Sequence, residues 1–157
     1  MDEDRVLARL AELGLELPPP PRPVASYVPV VVAGGLAFVA GQVATEGGVP
    51  MHAGRLGEDV SVERAREAAR RCALQALSAL RAELGSLSRV ERIVQLTVFV
   101  ASAPGFGEQP KVADGASGLL LDVLGEAGQH ARAAVGVAAL PLGAPVEVAM
   151  VAAVAQA

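Results

Sequence analysis

The chain has 157 residues, enough for one domain that buries its own core without disulfide or metal staples. Of these, 52% are hydrophobic but only 3% aromatic, so the core has to be assembled from Val, Leu and Ala. A net charge of −4 argues against a nucleic-acid binder, and a single cysteine, Cys72, rules out an internal disulfide framework and a cysteine-based zinc site.

The acidic start, Met1-Asp2-Glu3-Asp4, has the wrong charge for a secretory leader. The most apolar segments, around residues 28–44 and 131–155, are interrupted by Pro, Gly and Glu147. Neither offers the roughly 20 uninterrupted apolar residues of a spanning helix. A soluble cytoplasmic protein is expected.

Residues 2–13 carry Val6, Leu7, Leu10 and Leu13 at helical spacing, with acids in the first turn and Gly14 as a stop. Four consecutive prolines, Pro18 to Pro21, and then Pro23 follow as an extended connector. Residues 1–23 therefore read as a helical appendage on a tether, and residues 24–157 as the main domain. Two β-rich runs, 27–32 and 36–42, flank Ala33-Gly34-Gly35, a hairpin signal. Residues 44–59 show no period and read as a loop long enough to cover something.

Ser61 can cap the next helix, in which Ala65, Ala69, Cys72, Ala76 and Leu80 trace one apolar face and Gly85 marks the end. Arg64, Arg66, Arg70 and Arg71 alternate with Glu63 and Glu67, so this basic run reads as a solvated helix face. A strand is expected over 92–100 and a second helix over about 110–124. Cys72, on the apolar helix face, reads as inert core.

The closing stretch 131–155 holds two apolar runs on either side of Leu-Pro-Leu-Gly-Ala-Pro. It reads as a pair of buried strands joined by a turn, each with one charge, Arg132 in the first and Glu147 in the second. A charge in a buried strand is costly unless it is paired or bound to a ligand. Both possibilities stand at this point: the two side chains pair with each other or with an oligomer partner, or they act on a ligand. His52 and His130 have no third ligand in a recognisable pattern, so no metal is expected.

The order is β-β-α-β-α-β-β after the N-terminal helix, an α+β arrangement with a mixed sheet. Two long helices cover one face of such a sheet. Several strands nevertheless read apolar on both faces, so self-association through the open face is expected.

The chain resembles the RidA (YjgF) family in Tyr27-Val28, Phe38-Val39-Ala40-Gly41-Gln42, residues 90–100 and the closing set Ala131-Arg132, Leu140-Pro141 and Val146-Glu147-Val148. The resemblance spans roughly residues 24–155. It implies a chorismate-mutase-like α+β fold assembled as a homotrimer around a central barrel, with sites in clefts between subunits. It further implies hydrolysis of reactive 2-imino and 2-enamino acids to 2-keto acids and ammonia, without metal or organic cofactor. Arg132 would bind the substrate carboxylate bidentately, and Glu147 would position water or relay a proton. Tyr27 would line the pocket, the backbone at Ala40 and Gly41 would supply hydrogen bonds, and Asp114 stands near the position of a family asparagine.

Three departures mark a longer, divergent branch. Ala40 stands where the family has a serine, Ala149 where a second acid is common, and the loop and N-terminal helix are long. Two alternatives to the deaminase follow: a non-catalytic trimer that binds small carboxylates, and an endoribonuclease. The acidic charge balance and the lack of a histidine pair weigh against the latter.

Overall fold

The alternating Val- and Ala-rich segments form a five-stranded mixed sheet in the computed structural model, which describes residues 1–22 and 25–155. The strands are β1 (Val30–Ala33), β2 (Leu36–Val43), β5 (Val90–Ala101), β6 (Ala131–Val137) and β7 (Val146–Val154), and they lie in the order β1-β2-β7-β5-β6. All neighbours are antiparallel except β5 and β6. A separate small hairpin, β3 (Thr45–Glu46) with β4 (Val49–Pro50), lies within the stretch expected as loop. Gly34 and Gly35 turn the chain from β1 to β2 with φ of 58° and 76°, the left-handed values of a two-residue hairpin turn.

The expected long helices are α2 (Val62–Leu84) and α3 (Gln109–Leu124). Ser61 accepts from the Arg64 amide at the start of α2, and Gly85 ends it in the left-handed region. The two helices approach closely through small residues. A Cβ on Gly115 would meet the Arg66 carbonyl oxygen at 2.1 Å. This close approach is how a core almost without aromatics reaches density. Both helices cover the sheet face presented by Val39, Leu96, Val98, Val148 and Met150, all buried. Cys72 is buried there too, and desolvation pushes its thiol up, so it stays neutral.

The opposite face has no cover. Val31, Phe38 and Val135 are among its residues, and they are 52%, 45% and 43% exposed. The apolar-on-both-sides reading of the strands is therefore correct, and the helices take one side only.

Two expectations change. First, α1 (Glu3–Glu12) is no free appendage: Val6 and Leu10 are buried against the core, and Arg9 Nε donates to the Asp122 carbonyl at 3.0 Å. Glu3 accepts from Ser86 Oγ at 2.6 Å and from the Leu87 amide, and pairs with Arg81 at 3.0 Å. The serine hydrogen bond leads in holding its carboxyl below the usual range. The boundary expected between residues 23 and 24 lies outside the described residues. Second, β6 and β7 are not a buried hairpin. Strand β5 lies between them, and β6 is an edge strand with most of its residues exposed. A continuous apolar run suits an edge strand as well as a central one when the edge is covered by another chain, so hydropathy alone cannot tell them apart.

Candidate functional site

Register decides where the two strand charges point, because paired residues in adjacent strands share a face. Arg132 pairs with Leu96, Leu96 with Met150, and Met150 with Val39, a row that faces the helices. Glu147 pairs with Phe99, and Phe99 with Val135, a row on the uncovered face. Arg132 and Glu147 therefore lie on opposite faces of the sheet and cannot pair within one chain.

Around Glu147 there is a cavity of about 800 Å³. Tyr27, Ala40, Gly41 and Glu147 all line it, together with Gln42, Thr45 and Gln75. The register of β2 against β7 shifts between Val39 and Gln42, so Ala40 and Gly41 stand out of the ladder as a bulge. Within it, the Gln42 side chain donates to the Ala40 carbonyl at 2.9 Å. A Cβ on Gly41 would fall 2.0 Å from Glu147 Oε1, so the carboxylate occupies the space a side chain would need. Burial raises the Glu147 carboxyl above its ordinary value. Among the described residues it has no ion-pair partner. A half-buried, unpaired carboxyl beside an open cavity can take up and release a proton.

Gln75 joins the site without having been a candidate from the sequence. It is buried on the apolar face of α2, where it donates to the Val43 carbonyl and accepts from the Thr45 amide, both at 2.9 Å. It fixes the chain where β2 leaves the sheet. Arg71 Nε adds a bond to the Thr45 carbonyl at 3.1 Å. A long polar side chain among the small and apolar residues of a buried helix face is the signal that could have found it.

Arg132 and Asp114 form a second cluster. The guanidinium reaches from the edge strand to α3, where Nη1 donates to Asp114 Oδ1 at 2.8 Å and to Ser117 Oγ at 3.1 Å. Ser117 Oγ lies 2.9 Å from His130 Nε2, and His130 Nδ1 lies 2.6 Å from the Gly128 carbonyl. A carbonyl only accepts, so Nδ1 carries a proton, and in the neutral imidazole Nε2 then accepts from Ser117. The chain of bonds thus runs from the Gly128 carbonyl through His130 and Ser117 to Arg132. Asp114 and Ser117 lie one helical turn apart, which is why both reach one guanidinium. Asp114 is thus beside Arg132 and not in the Glu147 cavity. Sequence reasoning gives no sign that Ser117 and His130 belong to this cluster.

The family model described as "YjgF/chorismate mutase-like, putative endoribonuclease" matches residues 7–154. This chain belongs to the YjgF family. Protein TCP17 of Trypanosoma cruzi is 49% identical over 145 residues, covering 92% of this chain and 91% of TCP17. The crystal structure of Atu1372 from Agrobacterium tumefaciens, described as of unknown function, superposes with a TM-score of 0.90 at 44% identity, covering 97% of this chain and 93% of that one. A Shewanella oneidensis structure described as a "putative endoribonuclease" gives 0.91 at 33% identity, covering 95% and 99%. The YjgF-type α+β fold expected from the residues is thus the fold of the chain. The family match begins within α1, further towards the N-terminus than the resemblance read from the motifs. Among the described residues no helix is long and apolar enough to cross a membrane, and no group of three or more His, Cys, Asp or Glu residues is placed to hold a metal.

Proposed function

We propose that this YjgF-family chain hydrolyses reactive 2-imino and 2-enamino acids to 2-keto acids and ammonia, in a cleft between subunits of a homotrimer. The observation that carries the reading is the Glu147 carboxyl: unpaired, raised by burial, and held over Gly41 in a cavity lined by Tyr27. Water attacks the imine carbon while the Glu147 carboxylate takes its proton, giving a carbinolamine. The same carboxyl returns the proton to the nitrogen. The carboxylate then carries the hydroxyl proton to that nitrogen as the C–N bond breaks and the C=O bond forms, so that ammonia leaves and the keto acid remains. A substrate this labile needs orientation and charge placement more than forceful activation.

Arg132 faces the other side of its own sheet, so its part in this reaction is to serve a neighbouring subunit's cavity. Its edge strand and the uncovered apolar face supply the surface for such an assembly. The guanidinium would hold the substrate carboxylate while its hydrogen bonds to Ser117 and Asp114 fix its plane. The experiment is keto-acid release from an imine generated in place by an amino-acid oxidase, with wild type, Arg132→Ala and Glu147→Gln. Wild type accelerates release and both variants lose the effect. A wild-type protein that leaves the spontaneous rate unchanged ends the deaminase reading.

A second reading is a trimer that binds small carboxylates without turnover. It is favoured by Ala40, which offers the cavity no hydroxyl, and by Asp114, which already neutralises part of Arg132. Saturable binding of 2-oxobutanoate without faster imine loss would select it. Ribonuclease activity, suggested by the descriptions of the family and of the Shewanella relative, has less support. Among the described residues, the cavity lining contains one cation and no histidine.

A further inference from the structure

The cavity beside Glu147 also receives a residue from the proline-rich connector. Arg22 and Pro21 line it, and Arg22 and Glu147 are the charged residues of its described lining. The connector that delivers Arg22 is not a slack tether. Leu15 and Leu17 pack against the core, Pro18 is buried, and its carbonyl accepts from Ser78 Oγ on α2 at 2.6 Å. Pro19, Pro20 and Pro21 then fix φ at every position up to Arg22, so the backbone that carries the guanidinium has little entropy left to lose when a ligand is engaged.

Arg22 has no ion-pair partner among the described residues, Glu147 included. Cation and acid therefore stand apart, and an anion can sit on the guanidinium without displacing the carboxylate. The cavity volume, about 800 Å³, lies towards the upper end of the usual range for small-molecule sites. A four-carbon imino acid held by its α-carboxylate would fill little of it.

We infer that Arg22 is a specificity-determining anion anchor, and that it selects 2-imino acids whose side chain carries a second carboxylate. The assignment rests on the reaction proposed above. The imine lies at Glu147, the α-carboxylate goes to Arg132 of a neighbouring subunit, and the side-chain carboxylate goes to Arg22. A bidentate guanidinium–carboxylate pair at the exposed Arg22 is enough to discriminate a diacid from a monoacid by about tenfold.

The test is calorimetric binding of two stable keto acids, 2-oxobutanoate and 2-oxoglutarate, to the full chain. Wild type prefers the diacid by about tenfold. Arg22→Ala removes that preference, and Arg22→Lys, a point charge without the fork, restores part of it. Because Arg22 is exposed, unchanged thermal melts serve to confirm that the variants are folded. A wild-type protein without the preference, or an Arg22→Ala protein that keeps it, overturns the assignment. Imine turnover is measured in parallel. Failure there, with the binding preference intact and dependent on Arg22, would count against the deaminase reading and leave the anchor standing.

Discussion

The carboxylate of Glu147 lies over the Cα of Gly41 so closely that a methyl group on that carbon would stand 2.0 Å from Oε1. The bulge at Ala40 and Gly41 and the absence of a side chain there are two halves of one device. The bulge brings β2 out of register, and the missing Cβ leaves the space that the carboxylate fills. Gly41→Ala must therefore push the carboxylate aside. Gly41 has no left-handed φ to lose. Imine hydrolysis should fall by about tenfold or more, which corresponds to roughly 1.4 kcal/mol of barrier, with little change in melting temperature. A Gly41→Ala protein of full activity would show that the carboxylate need not stand there.

The same carboxyl gives a pH dependence whose sign is fixed. Burial raises its value in the folded chain above that in the unfolded chain. Between the two values the folded state binds more protons, so stability falls as pH rises through that window. Glu147→Gln removes the ionisation. The variant should melt higher than wild type at pH 7, and the gap should close as the pH falls to the unfolded-state value. A gap that widens on acidification would contradict the burial argument.

Arg132 and Glu147 also show what a sequence can and cannot convey here. Alternation within each strand identifies both as strand charges in a closing motif, and helix capping at Ser61 and Gly85 places α2 almost to the residue. What local pattern does not carry is strand order. The short connection after β6 suggests that β7 folds back on it, yet β5 lies between them, and only its register puts the two charges on opposite faces. The six candidate residues consequently divide into two sets. Tyr27, Ala40, Gly41 and Glu147 share the cavity, while Asp114 joins Arg132. The network through Ser117 and His130 is illegible for the same reason, since it joins a helix, a loop and an edge strand that only the tertiary fold brings together.

Asp114 sets the charge available at Arg132. The pair is 2.8 Å apart and partly exposed, the arginine 26% and the aspartate 51% in their side chains. Such a pair adds about 1 kcal/mol or less to stability, so Asp114→Asn should leave the melting temperature nearly unchanged. It frees the guanidinium of its neutralising partner while keeping a hydrogen-bond acceptor in place. Binding of 2-oxobutanoate should tighten several-fold, and Arg132→Ala should abolish it in either background. Weaker binding in Asp114→Asn would mean that the aspartate itself contacts the ligand.

The burial of α1 predicts that the N-terminal helix is part of the folding unit. Leu10 is 1% exposed and packs against the core. Leu10→Ala should cost about 2–5 kcal/mol, the usual range for deleting a buried leucine side chain. Denaturant unfolding monitored by circular dichroism measures it, in a single transition. A cost near zero would return α1 to the status of a tethered appendage.

The uncovered sheet face carries the last prediction. Val31, Phe38 and Val151 lie side by side in one register row, and Phe99 and Val135 in another that ends beside Glu147. Side chains in these rows point away from both helices, so no packing within the chain explains their apolar character. Burial against other copies would explain it, at about 25 cal/mol per Å² of apolar surface removed from water. Phe38→Glu places a charge in the middle of this face, where assembly would have to desolvate it without a partner. Wild type should sediment as an oligomer at micromolar concentration and Phe38→Glu as a folded monomer. Because Arg132 can reach a Glu147 cavity only across a subunit boundary, the monomer should also lose imine hydrolysis. A monomeric wild type with full activity would remove both the trimer and the shared cleft.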